Sequence, residues 1–232
     1  MISRNWVKLP TRWIEDGGLD QLRWAKDGSS CTAALMLLIV VAHNADDAGS
    51  SSITYDEFGI VTGLSRTKVS HGLNLLCALK ILERSTTKQS QFKLSSFDPL
   101  KGWGKLPARR LYHGDRILAF KDFHLRKVTE LDALKMYLAF VARRDNSTNL
   151  VHITYKQIEE YADIRQERIK SALSLLTVNG LVHVEHVRSS ASSFGISNAY
   201  RLVHLDTFNH LGTSGRKMID GSGSGQLNSE LL

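Results

Sequence analysis

Ile53-Thr54-Tyr55 and Ile153-Thr154-Tyr155 open two stretches of this chain that continue in register without a gap, 100 positions apart. Leu64 matches Ile164, Val69 matches Ile169, Leu73 matches Leu173, and Leu75-Leu76 match Leu175-Leu176. Ile81-Leu82 close the first stretch as Leu181-Val182 close the second, and upstream Ala33 and Met36 return as Ala133 and Met136. Earlier still, Trp6-Val7-Lys8-Leu9-Pro10-Thr11-Arg12 reappears 97 positions later as Trp103-Gly104-Lys105-Leu106-Pro107-Ala108-Arg109. A unit of about 100 residues is too long for a solenoid repeat and is the size of a small domain. The chain carries one domain-sized pattern twice, and is expected to present one kind of surface twice.

Both copies predict the same succession of elements. A short extended segment comes first, at residues 6–9 and 103–106, each stopped by a proline that cannot continue a ladder. A long apolar helix follows at 32–43 and 130–143, with Ser30 and Thr129 placed to cap it. After a polar loop, Thr54-x-x-Glu57 and Thr154-x-x-Gln157 each spell a capping box at the start of a second, short helix. In such a box the threonine hydroxyl accepts from the amide three residues on, while the acid or amide side chain reaches back. A turn at 62–65 and 162–165 leads to a third helix at 66–80 and 166–179. Its Val69, Leu73 and Leu76, like Ile169, Leu173 and Leu176, keep the spacing of a single buried face. Asn179-Gly180 reads as a left-handed cap, and hairpins are expected at 81–94 and 181–205.

This succession predicts a mainly α chain with small β-hairpins, of the α+β class, built as two tandem winged helix-turn-helix domains from an internal duplication. The expected divisions are 1–98 for the first domain and 99–128 for a basic connector that includes the first strand of the second. Residues 129–208 are expected to form the second domain, and 209–232 a disordered Gly/Ser-rich tail. Each domain, cut near Phe97, is expected to fold alone.

The 232 residues are 42% hydrophobic and 23% charged, the balance of a globular chain and not of a disordered one. A net charge of +7 favours polyanionic partners, nucleic acid before membrane surface. The first ten residues hold no apolar core of signal-peptide length. The longest apolar run, 33–42, is about half of what a spanning helix needs and reads as a buried core helix. Cys31 and Cys77 fit neither a disulfide framework nor a zinc site. A cytoplasmic protein without a membrane span is expected.

The third helix of copy one leaves Arg66, Thr67, Lys68, Ser70, His71 and Asn74 outside its apolar face, just after Ser65. From Phe58 to Leu82 there are three basic residues and no acidic one. In copy two the matching positions are Gln166, Glu167, Arg168, Lys170, Ser171 and Ser174, just after Arg165. Arginine and lysine satisfy guanine N7 and O6, and asparagine or glutamine pairs with adenine N6 and N7. Serine, threonine and amides at a helix start suit phosphates. Exposed helix faces are commonly polar, but acid depletion at a duplicated position favours DNA reading, more in copy one than in copy two, where Glu167 dilutes the charge. Arg66, Lys68 and Asn74, with Gln166, Arg168 and Lys170, are the expected base readers. The hairpin tips add Arg84, Lys88, Gln89, Lys93 and Arg188 for backbone contacts, or for a merely solvated loop. Between residues 101 and 128, eight basic residues stand against Asp115 and Asp122, which is +6 of the net charge. Of these, Arg109, Arg110, Lys121, Arg126 and Lys127 are expected to run along the phosphate backbone.

An enzyme is not expected. Val182-His183-Val184-Glu185-His186 has a metal-like spacing, but alternation in a strand sends His183 and Glu185 to one face and His186 to the other. There is no Gly-rich phosphate loop and no nucleophile elbow. No catalytic residue, metal, cofactor or small-molecule ligand is expected. The paired Trp-x-Lys-Leu-Pro-x-Arg segments and duplicated Ile-Thr-Tyr blocks make residues 5–206 resemble the tandem winged-helix proteins of bacterial mobile elements, above all plasmid and phage replication initiators. That resemblance implies sequence-specific binding of double-stranded DNA at repeated sites near an origin or promoter, with dimeric and monomeric forms doing different work. A transcriptional regulator of a mobile element would use the same surfaces. An interaction module of a chromosome-organising complex would instead carry acidic or apolar exposed helix faces.

Overall fold

The computed structural model describes residues 2–86, 90–188 and 196–205. Among them are eight α-helices and small antiparallel sheets, an α+β chain. The first half runs β1 (Trp6–Pro10), α1 (Arg12–Glu15), α2 (Trp24–Asp27), α3 (Ser29–His43), β2 (Ser50–Ser52), α4 (Tyr55–Thr62), α5 (Arg66–Ala78), β3 (Leu82–Arg84) and β4 (Gln91–Leu94). The second half runs β5 (Trp103–Pro107), β6 (Tyr112–His113), β7 (Arg116–Ile117), α6 (Val128–Arg143), β8 (Leu150–His152), α7 (Tyr155–Ala162), α8 (Gln166–Val178), β9 (Val182–Arg188) and β10 (Ile196–Leu202). From α3 and from α6 onward the order of elements is the same, and the sheets β2-β4-β3 and β8-β10-β9 are equivalent. The expected tail lies outside the described residues.

Both capping boxes form. Thr54 N donates to Glu57 Oε2 at 2.6 Å and Glu57 N to Thr54 Oγ1 at 3.2 Å, while Thr154 N donates to Gln157 Oε1 at 2.9 Å and Gln157 N to Thr154 Oγ1 at 3.2 Å. Each N-cap is worth about 1 kcal/mol to a helix of only two turns. α4 and α7 stop at left-handed residues, Gly63 at φ 74° and Asp163 at φ 51°. α5 and α8 are followed by another matched pair, Lys80 at φ 56° and Gly180 at φ 65°. Two expected caps do not form. α3 starts at Ser29 behind Gly28, whose φ of 52° turns the chain straight out of α2, so Ser30 lies inside the helix. α6 starts at Val128 behind Lys127, which leaves Thr129 in the first turn. There Glu130 reaches back instead, accepting from His124 N and Arg126 N at 3.1 Å each.

The halves are joined by exchange. β1 and β5 pair antiparallel with Trp6 opposite Pro107, Lys8 opposite Lys105 and Pro10 opposite Trp103, a local two-fold about the lysine pair. Trp6 and Trp103 stack 5.9 Å apart at 15°, with Lys105 Nζ 4.8 Å from the Trp6 ring and Lys8 Nζ 4.8 Å from the Trp103 ring. Beneath this ribbon α3 packs on α6. α3 is buried on every side from Cys31 to His43, as the apolar run predicts. The segment after β1 then crosses to the other half, where α1 packs on α6 and α7, while β7 packs on α4. The expected connector is therefore not a solvated linker: Leu106, Ala108, Leu111, Ile117, Ala119, Phe120 and Phe123 are buried in the one core cluster that also holds α3 and α6. A cut near Phe97 would part β1 from β5 and divide the core cluster that α3 and α6 share.

Candidate nucleic-acid interface

α5 lays Val69, Gly72, Leu73 and Leu76 against α3 and turns Arg66, Thr67, His71 and Asn74 to solvent, with Ser70 half-buried. Ser65 is the N-cap, its hydroxyl accepting from Lys68 N at 3.4 Å. Arg66 Nη1 sits 3.3 Å from Asp56 Oδ1 and its guanidinium lies 5.4 Å from the Tyr55 ring, yet its side chain is 76% exposed. A pair this open is worth under about 1 kcal/mol, so Arg66 is available to a ligand. Arg84 is packed down and not raised at a hairpin tip: it donates to Tyr55 Oη at 3.1 Å and lies 5.6 Å from the Tyr55 and Phe92 rings. Tyr55 thus carries a guanidinium from α5 and another from β3. Lys93 is exposed on β4. Lys88 and Gln89 lie outside the described residues, as does the side chain of Arg188.

α8 is more self-occupied. Arg165 pairs with Glu167 at 3.5 Å, and Gln166 Nε2 donates to Glu159 Oε2 at 2.7 Å. Lys170, Ser171 and Ser174 are exposed. Arg168 does not face out. Its Nε lies 3.0 Å from Asp132 Oδ2 and its Nη2 donates to Asp132 Oδ1 at 3.4 Å, on a carboxylate only 2% exposed in the second turn of α6. Burial pushes the Asp132 carboxyl up to about 6 against the opposing pull of Arg168 and Lys135. Lys135, itself 2% exposed, stands 3.7 Å from Asp163 Oδ2; burial lowers its pKa while Asp163, Asp132 and Asp20 hold it up. The first half has Thr32, Leu35, Gly63 and Lys68 at the four corresponding positions. This buried ionic group is the property of the second half alone. Comparing position 32 with 132 and 68 with 168 in the sequence would have exposed it, because a carboxylate in a core face needs a cation.

The segment before α6 holds Arg109, Arg110, Arg116, Lys121, Arg126 and Lys127 exposed at the surface. The fold brings Arg116, Lys121 and Arg126 to the start of α5, where Lys68 Nζ donates to Ser29 Oγ. Arg116 is not among the expected contacts, since only the packing of residues 109–123 on the first half places it beside Lys121 and Arg126. Among the described residues no three His, Cys, Asp or Glu side chains are grouped to hold a metal, and no helix is long and apolar enough to cross a membrane. Glu185 of the metal-like stretch is bonded to Arg201 on the neighbouring strand. No protein-family model matches the chain, and no curated protein aligns with it.

Proposed function

We propose that this chain is a sequence-specific double-stranded DNA-binding protein made of two tandem winged helix-turn-helix units, acting as a replication initiator of a plasmid or other mobile element. The observation that carries the reading is the outward face of α5. Arg66, Thr67, His71 and Asn74 stand exposed on a helix rooted in the core, in a stretch from Phe58 to Leu82 without one carboxylate. A helix–turn–helix followed by a hairpin in a three-stranded sheet, occurring twice, supports the winged-helix assignment. The side chains are of the types that pair with base edges, and the net charge suits a polyanion. The more occupied face of α8 makes α5 the leading reader, with Lys170, Ser171 and Ser174 as the contribution of the second half. The mobile-element role rests on the resemblance of the paired segments to plasmid and phage initiators.

The test is to sequence the genomic fragments retained by the purified protein and to titrate the enriched duplex against salt. Specific retention, with affinity falling about 10³ to 10⁵ between 50 and 200 mM salt for roughly 6 to 10 phosphate contacts, is the expected outcome. Sites clustered at a replication origin support the initiator role, and sites at promoters a transcriptional regulator using the same surfaces. Absence of duplex retention at low salt would sink the reading.

A further inference from the structure

Between the α4–α5 turn and residues 116–126 the surface opens into a cleft of about 630 Å³. Ser65 and Lys68 form one wall, and Arg116, Lys121 and Arg126 rim the other. None of the lining residues is acidic. The three rim cations are exposed, and among the described residues none of their side chains is spent on a carboxylate. Lys68 is held by a neutral partner, the Ser29 hydroxyl, so its charge is not cancelled. Glu130 is 5% exposed and turned inward, its oxygens accepting from the His124 and Arg126 amides, and it makes no ion pair with the rim. Four cations that make no ion pair among the described residues, beside the start of a helix, form a concave site for anionic oxygens.

The cleft suits a backbone and not bases. Phe120 and Phe123 line it, but the two rings pack edge to face on one another at 6.0 Å and are buried, which leaves no exposed ring for a base to stack on. It adjoins the exposed face of α5 at Ser65, the exposed N-cap next to Arg66, with Lys68 half-buried between the two. We infer that this cleft seats the sugar–phosphate backbone of duplex DNA on the strand flanking the groove that α5 reads. The inference rests on the DNA-binding reading above. It also explains why the segment between the repeats is so basic, since residues 116–126 of the second repeat complete the binding surface of the first.

The experiment is the triple substitution Arg116→Ala, Lys121→Ala and Arg126→Ala in the full chain, with Arg12→Ala, Lys26→Ala and Lys101→Ala as a control of equal charge loss outside the cleft. The six side chains are exposed, and far-ultraviolet dichroism and thermal melts check that both variants fold. Fluorescence anisotropy on specific and scrambled duplexes from 50 to 200 mM salt is the readout. The cleft variant should lose at least about tenfold in affinity on both duplexes alike, and the slope of log affinity against log salt should fall by about 1 for each side chain removed. The control should change both by far less. Equal losses in the two triples overturn the cleft as a site, and so does a cleft variant that binds like the original chain while Arg66→Ala still weakens specific binding. Free ATP binding that the cleft triple abolishes with duplex affinity intact would also overturn it, in favour of a small phosphorylated ligand. If the original chain retains no duplex, the DNA-binding reading falls first and the cleft with it.

Discussion

His43 makes the stability of this protein acid-sensitive in a narrow window. The ring is buried at the end of α3, with Nε2 2.8 Å from the Pro107 carbonyl and Nδ1 2.9 Å from Tyr112 Oη. A carbonyl only accepts, so Nε2 carries the proton and Nδ1 accepts from the tyrosine, and the neutral ring is satisfied on both sides. Burial lowers its pKa from 6.5 to about 4, outweighing the Pro107 bond that favours the charged form. The unfolded chain therefore takes up a proton first as pH falls. Stability from this group is fully present above pH 6.5 and is lost as pH drops towards 4. Integrated over that shift, the loss is about 2 kcal/mol by pH 5 and roughly 3 kcal/mol by pH 4, and for a chain of this size each kcal/mol moves the melting temperature by about 2–4 °C. Asp132, pushed up to about 6, works in the opposite direction, since its contribution is lost as pH rises through that value. The assay must therefore be differential: urea unfolding of the original chain and of His43→Gln at pH 7, 6, 5 and 4. His43→Gln is expected to be the less stable at pH 7, and the gap should close by about 2 kcal/mol at pH 5. A gap that is constant across the series would refute the assignment of a neutral, buried His43.

Other outcomes follow from particular contacts. Gly72→Ala should destabilise, against the usual gain of about 1 kcal/mol for this change inside a helix. Its methyl would meet Leu37 Cδ1 at 2.7 Å and the Ala34 nitrogen at 3.0 Å, and overpacking of that kind costs about 1–3 kcal/mol in a denaturant titration; a more stable variant contradicts the packing, even though Ala172 fills the matching place in the second half. Arg168→Ala should cost about 3 kcal/mol by leaving Asp132 buried without its cation. The pair Asp132→Thr with Arg168→Lys, which installs the residues of the first half, should recover most of that loss, whereas equal damage from the single and double changes would deny the coupling. Arg66→Ala, by contrast, should leave the melt nearly unchanged and weaken the specific duplex by about 1–3 kcal/mol. Finally, if α5 and α8 engage one duplex, the two recognition elements should be spaced by about one helical turn, so that a five-base-pair insertion between them abolishes the gain over a single element and a ten-base-pair insertion restores part of it; footprinting that is indifferent to the half-turn insertion would rule this out.

The amino-acid sequence by itself determined what neighbours in the chain decide. Thr54 and Glu57, and again Thr154 and Gln157, cap their own helices across three residues, and Val69, Leu73 and Leu76 mark the buried side of α5 through their spacing. These signals rest on backbone geometry within one or two turns, so they read the same in isolation as in the fold. The order of long helix, short helix, third helix and hairpin in each half was legible for the same reason. Only the tertiary structure decided how the copies meet. β1 finds its partner about 100 residues away, His43 is satisfied by Pro107 and Tyr112, Arg168 is drawn inward by Asp132, and the cations of residues 116–126 come to rest beside Lys68. Each of these is an interaction between segments whose local propensities are indifferent to it. For His43 and for Asp132 with Arg168 the outcome is settled by burial, because a polar or charged group that leaves water must find its partner wherever the packed chain has put one. That is why two copies with the same apolar spacing hold the side chains at the foot of their third helices differently, Lys68 on the Ser29 hydroxyl and Arg168 on the Asp132 carboxylate.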